Sequence, residues 1–199
     1  MSRSLADAAA EAAICTRCRL AEGRTQVVFG TGSPDADLLF IGEGPGFHED
    51  RLGEPFVGAA GQLLNRMLGE IGLDRADVYI ANVVKCRPPG NRDPEPDEIE
   101  ACTPWLVEQI SLIQPQVIVT LGNFATKFVL NTSTGITRLR GQIHRWHGRT
   151  VIPTFHPAAG SGSAPIEAGV ERPAPGETPR IVPGVSDAPA TDPDQMELF

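Results

Sequence analysis

The sequence predicts an α/β fold: a single domain with a central, mostly parallel sheet flanked by helices. Three observations predict it. Residues 38–42 form a continuous apolar run, and 78–84 and 117–121 are apolar but for Asn82 and Thr120, the pattern of strands buried on both faces. The segments between them carry apolar residues at helical spacing. Strand and helix signals alternate along the chain, as they do in parallel sheets with helical crossovers.

Taken in order, residues 6–13 read as a short helix leading into the first cysteine pair. The run at 38–42 stops at Gly42, as a strand does before a turn. Residues 61–71 place Leu63, Leu64, Met67, Leu68 and Ile71 on one helical face. The second strand, 78–84, contains one amide side chain, Asn82, near its end. A longer helix opens at Asp97 and runs to about Ile113, with Glu98 and Glu100 near its start, where the helix dipole favours acids. The third strand, 117–121, is followed by a short helix over 123–130. Residues 142–146 and 150–155 read as a hairpin turning at His147-Gly148. Ligands in open α/β sheets bind at the carboxyl ends of strands. The loop at 42–46, Asn82 and His156 all fall at or near such ends.

From residue 159 the periodicity stops. The last 41 residues hold seven Pro, five Gly and six Ala, which predicts a disordered tail. The expected division is therefore a folded domain over 1–158 and a tail over 159–199.

The 199 residues carry a net charge of −8, which at first argues against a nucleic-acid partner. Residues 1–158 hold 15 Lys/Arg against 18 Asp/Glu, and the tail 2 against 7, so the tail accounts for much of the imbalance. Nucleic-acid binding depends on a local basic face, not on the total. Arg138, Arg140, His144, Arg145, His147 and Arg149 form the densest basic stretch, with no acid among them. No run approaches the roughly 20 apolar residues of a membrane helix, and the acidic N-terminus lacks the apolar core of a secretory signal. A cytoplasmic protein is expected, with no membrane partner.

All four cysteines fall into one arrangement: Cys15-x2-Cys18, then Cys86, then Cys102. A cytosolic chain rarely keeps disulfides, and two thiolates on a tight turn converge on one metal centre. The spacing leaves zinc and an iron–sulfur cluster both open. Arg17, Arg19, Lys85 and Arg87 adjoin the ligands and would offset thiolate charge in either case.

Five motifs then carry a resemblance. Cys15-Thr16-Arg17-Cys18-Arg19-Leu20, Gly42-Glu43-Gly44-Pro45-Gly46, Pro55-Phe56-Val57-Gly58, Asn82-Val83-Val84-Lys85-Cys86-Arg87-Pro88-Pro89 and Phe155-His156-Pro157-Ala158 resemble, in this order, the family 4 uracil-DNA glycosylases. The resemblance implies a [4Fe–4S] cluster on Cys15, Cys18, Cys86 and Cys102, and excision of uracil from DNA. Such a reaction needs the base flipped into a pocket. It also needs a stacking surface, a reader of the base edge, a stabiliser of the leaving anion and a placed water. Phe56 is the expected stacking ring and Asn82 the expected reader, because its amide can both donate to and accept from the uracil edge. His156 is the expected anion stabiliser. Gly42 and Gly44 let the backbone approach closely. Glu43 is the expected water ligand, with Glu49 as its alternate. In better-known uracil glycosylases the water-activating Asp aligns with Gly44, and a Tyr that excludes the thymine methyl aligns with Gly46; Glu49 is expected to fill that space here.

The chain departs from the family after residue 159. The family continues with Leu-Arg and a final helix, whereas this chain reads Gly160-Ser161-Gly162-Ser163. The alternative reading is a non-catalytic iron–sulfur DNA-binding relative. The last residues, Gln195-Met196-Glu197-Leu198-Phe199, resemble the short bacterial motif that docks repair proteins onto the replication sliding clamp. Gln195, Met196, Leu198 and Phe199 are its expected contacts. The chain is expected to act as a monomer.

Overall fold

The computed structural model describes residues 3–159. The tail and its terminal motif at Gln195, Met196, Leu198 and Phe199 lie outside the described residues. Along the chain run α1 (Leu5–Ala13), α2 (Leu20–Gly23), β1 (Thr31–Gly32), β2 (Leu38–Gly42), α3 (Phe47–Leu52) and α4 (Ala59–Glu70). Then come β3 (Tyr79–Asn82), a 3-10 turn at Pro89–Asn91, α5 (Pro96–Ile113), β4 (Val117–Leu121), α6 (Asn123–Leu130) and α7 (Ile136–Leu139). Strands β5 (His144–Trp146) and β6 (Arg149–Thr154) precede a last 3-10 turn at Pro157–Ala159.

The six strands form one sheet in the order β1-β3-β2-β4-β6-β5. The inner four, β3, β2, β4 and β6, are parallel, and the two edge strands are antiparallel. Side chains alternate between two cores. Leu39, Ile41, Tyr79, Ala81 and Ile118 point to the side covered by Trp105, Leu106 and Ile110 of α5. Phe40, Val78, Ile80 and Leu121 point to the side covered by Leu64 and Leu68 of α4. A fully buried aliphatic side chain contributes roughly 1.5–3 kcal/mol. Burial on both faces, more than strand propensity, therefore holds strands of four or five residues in register.

The apolar runs are strands as the sequence implies, and the differences lie at the edges. Ladder pairing within 78–84 is confined to Tyr79–Asn82. Val83 and Val84 still donate to the carbonyls of Gly42 and Glu43, at 2.9 and 3.0 Å. The hairpin turns where expected, with His147 and Gly148 both at positive φ (46° and 78°), the twist a tight two-residue β-turn requires. β1, α2, α3 and α7 are too short to leave a periodicity in sequence.

The basic stretch at 138–149 does not form one face. Gly141 N–H bonds Pro153 O, which puts Arg140 beside the carboxyl end of β6, its guanidinium 4.8 Å from the Phe155 ring. The His147-Gly148 turn lies at the other end of the same strand, where Arg149 bonds Gln114 Oε1 at 2.8 Å. Among the described residues no helix is long and apolar enough to cross a membrane.

Candidate active site and thiol centre

The carboxyl ends of β2 and β3 meet in register at Gly42 and Asn82. Asn82 is 1% exposed, and its Oδ1 has no hydrogen-bond partner. An orphaned buried acceptor costs about 1–3 kcal/mol, which makes this strand end a candidate contact point for a donor from outside. The Asn82 backbone is held rigid: its carbonyl accepts Lys85 Nζ at 2.7 Å, and Nζ also donates to Gln109 Oε1 at 2.5 Å. Lys85 is itself buried. Burial pushes its pKa down to about 7 against the pull of Cys102 and Cys86.

Phe56 stands against this strand end. A Cβ on Gly42 would collide with Asn82 Oδ1 and lie 2.7 Å from Phe56 Cζ. Only glycine therefore permits the three residues to converge. Phe56 sits at φ 54°, a left-handed conformation unusual for a bulky residue. Two contacts impose it. Arg75 donates to Pro55 O at 2.6 Å and to Phe56 O at 3.1 Å. Gly61, at the start of α4, lies so close to Phe56 O that any side chain there would overlap it.

The Phe56 ring faces His156, with centroids 5.6 Å apart and planes 31° from parallel. His156 follows β6, and its Nδ1 accepts the N–H of Ala158 at 3.1 Å. That bond leaves the neutral ring's proton on Nε2. Burial lowers the His156 pKa while the Glu49 carboxylate works against it, and the net direction is down, so the ring is neutral near pH 7.

The two candidate carboxylates have different environments. Glu49 Oε1 accepts the N–H groups of Val57 and Gly58, both at 2.9 Å. Burial raises its pKa, but these backbone donors and His48 outweigh that, and the net shift is downward. Its Oε2 lies 2.8 Å from where a Cβ on Gly46 would sit. Glu43 is shifted upward, first by burial and then by Asp93, which repels it and shares a hydrogen bond with it. Glu43, Asp93 and His156 line a cleft of about 580 Å³ together with Leu121, Phe124 and Lys127. Gly44, one residue on, is packed against Val84: a Cβ would come within 2.7 Å of Val84 Cγ2.

Sequence reasoning missed Arg75 and Asp93. Asp93 sits in the 3-10 turn's exit, and the next-door Arg92 grips the fully buried Glu98 carboxylate at 2.9 and 2.6 Å. Glu98 also accepts Glu95 N–H at 2.8 Å, capping α5. That grip pins the loop that presents Asp93.

Behind the site, Cys15, Cys18, Cys86 and Cys102 line a single pocket with Arg17, Arg24 and Trp105. All four are free thiols. Cys102 Sγ accepts Lys85 N–H at 3.1 Å, and Cys86 Sγ accepts Arg24 Nη1 at 3.4 Å. Burial raises the Cys86 pKa and pushes Cys102 up to about 12. Such thiols ionise only when a metal takes the proton's place. Of the cations expected beside the ligands, Arg17 lies over Trp105 at 4.4 Å and lines the pocket. Arg19 instead pairs with Asp97 at 2.5 Å, and Arg87 reaches Asn91 at 2.7 Å. Arg24 takes the charge-offsetting position. Among the described residues no three His, Cys, Asp or Glu side chains are disposed to hold a single ion. An all-thiol pocket with N–H donors to two sulfurs is the donor set of a thiolate-bound metal centre, and Cys15, Cys18, Cys86 and Cys102 are the residues that would hold one.

Comparisons with known proteins show the family. A family model of the uracil DNA glycosylase superfamily matches residues 29–164. The type-4 uracil-DNA glycosylase of Sulfurisphaera tokodaii is 51% identical over 154 residues, covering 73% of this chain and 70% of that one. The type-4 enzymes of Archaeoglobus fulgidus and Thermotoga maritima are 49% and 52% identical over 164 and 146 residues. Those alignments cover 78% and 72% of this chain, and 82% and 76% of theirs. With the sheet, the Asn82–Phe56–His156 convergence and the thiol pocket all within or beside the matched span, the chain belongs to the uracil-DNA glycosylase superfamily and, within it, to the type-4 uracil-DNA glycosylases.

Proposed function

We propose that this protein hydrolyses the N-glycosidic bond of deoxyuridine in DNA, releasing uracil and leaving an abasic site, as a cytoplasmic base-excision repair enzyme. The observation that carries the reading is the buried, unpartnered Asn82 Oδ1 beside the Phe56 ring. A flipped uracil stacks on Phe56, gives its N3–H to Asn82 Oδ1 and takes the amide N–H at O4. Cytosine offers no N3–H and presents a donor at position 4, so it mismatches both groups. The C1′–N1 bond breaks with its electron pair leaving on the base. His156 Nε2–H donates to O2 as that charge develops, a preorganised donor that needs no proton transfer. Glu43 orients the water whose oxygen bonds to C1′ and whose proton departs to the carboxylate or to solvent. Glu49 holds the 57–58 backbone and fills the space over Gly46, where a 5-methyl group would meet its carboxylate.

Cys15, Cys18, Cys86 and Cys102 hold a [4Fe–4S] cluster. When bound it ties the α1–α2 segment, the loop after β3 and α5 together, and it supplies no redox step. The terminal Gln195, Met196, Leu198 and Phe199 dock on the sliding clamp; the support for this is the sequence motif.

The test is incubation of anaerobically purified, coloured protein with a uracil-containing oligonucleotide, followed by alkaline cleavage. Strand scission at the uracil is expected. Intact strands from every uracil substrate would favour the non-catalytic DNA-binding reading.

The Glu43 assignment predicts a pH dependence. Glu43 must be ionised to orient water, so the rate is present above its raised pKa and lost as pH falls through it. Removing the Asp93 charge lowers that pKa. Asp93→Asn should therefore move the acid limb of the single-turnover profile to lower pH, and Glu43→Gln should abolish that limb. A limb that stays in place in both variants assigns the water to another group.

A further inference from the structure

Helix α3 turns its two acids inward. Asp50 is buried and accepts Thr25 N–H at 2.9 Å, and Glu49 is held by the backbone of Val57 and Gly58. Its outward side carries Phe47, His48, Arg51 and Leu52, all exposed. The guanidinium carbons of Arg51 and Arg87 stand 5.7 and 5.2 Å from the Phe47 ring centre. Phe47, 47% exposed, directly follows Gly46, where an added Cβ would lie 2.8 Å from Glu49 Oε2. On a chain of net charge −8, this is an apolar and cationic knob whose outward side carries no acid.

We propose that Phe47 is the wedge that enters the base stack when the uracil swings out, with Arg51 and Arg87 on the flanking phosphates. The inference rests on the uracil-excision reading and adds to it how the duplex is held open. A flipped base leaves a hole in the stack, and an apolar ring that fills it replaces the stacking that was lost. Solvent-exposed contacts between arginine and a ring are weaker than stacking of a ring on a base, so the ring exchanges one for the other at a net gain. The Arg51 guanidinium and the Arg87 Nη groups, Arg87 Nε staying on Asn91, then meet phosphate.

The discriminating substrates are one uracil-containing strand, alone and in duplex. A single strand has no closed stack to hold open. In the full-length, cluster-loaded protein, Phe47→Ala should lower single-turnover excision from the duplex by about tenfold or more and change the single-stranded rate by less than about twofold. Phe47→Trp should restore the duplex rate. An unchanged duplex rate, or an equal loss on both substrates, overturns the wedge while excision stands. Wild-type protein inactive on both substrates overturns excision and the wedge with it.

Discussion

Asn82→Ala and His156→Ala should each lower the single-turnover rate of uracil excision by about 10²-fold or more, the scale of losing one preorganised donor or acceptor. The factor corresponds to roughly 2.7 kcal/mol of transition-state stabilisation. Asn82 carries a second, separable expectation. Its Oδ1 has no partner in the free protein, so removing it takes away a buried orphan along with some packing. Asn82→Ala should melt close to wild type while losing activity. Asn82→Asp should move base choice toward cytosine, because a carboxylate accepts from the 4-amino group. For His156 the Ala158 bond to Nδ1 fixes which nitrogen faces the base, so a ring without a donor at that position cannot replace it. Rates within about threefold of wild type in both alanine variants, far short of a lost oxyanion-type contact, would remove these side chains from the site.

Loss of one cluster ligand should affect folding more than chemistry. Cys86 and Cys102 are buried beside Lys85 and the α5 core, and Cys15 and Cys18 lie on the segment linking α1 to α2. Metal binding to such a site contributes on the order of 10 kcal/mol to folding when the ligands converge only in the native state. A whole domain of this kind has about 5–15 kcal/mol of net stability. Cys102→Ser should therefore yield insoluble protein, or soluble protein without visible absorbance and with a large loss in melting temperature. Iron analysis and a thermal melt on anaerobically prepared protein check this. Wild-type protein that is colourless and holds one zinc, or a Cys102→Ser variant that melts like wild type, would refute the cluster assignment.

The order of these consequences reflects what was legible in the residues themselves. Apolar runs at 38–42 and 117–121, the helical period over 61–71 and the Gly-terminated strand ends are local patterns. They determined the α/β class, the two-faced sheet and the edge at which Gly42, Asn82 and His156 lie. The four cysteines were equally plain as a set. The tertiary structure decided what holds these groups in place. Arg75 clamps the Phe56 carbonyl from 19 residues away. Arg24, 62 residues from Cys86, offsets the charge that Arg19 and Arg87 seemed placed to meet. Asp93 meets Glu43 from a loop whose next residue back, Arg92, is paired with Glu98. The inward turn of Asp50 and Glu49, which leaves Phe47 and Arg51 outward, is invisible in a six-residue helix that has no period to read. Periodicity is a property of neighbours along the chain, so it finds strands and helices. Clamps, charge partners and orphaned acceptors are set by groups far apart in sequence, and folding alone brings them together.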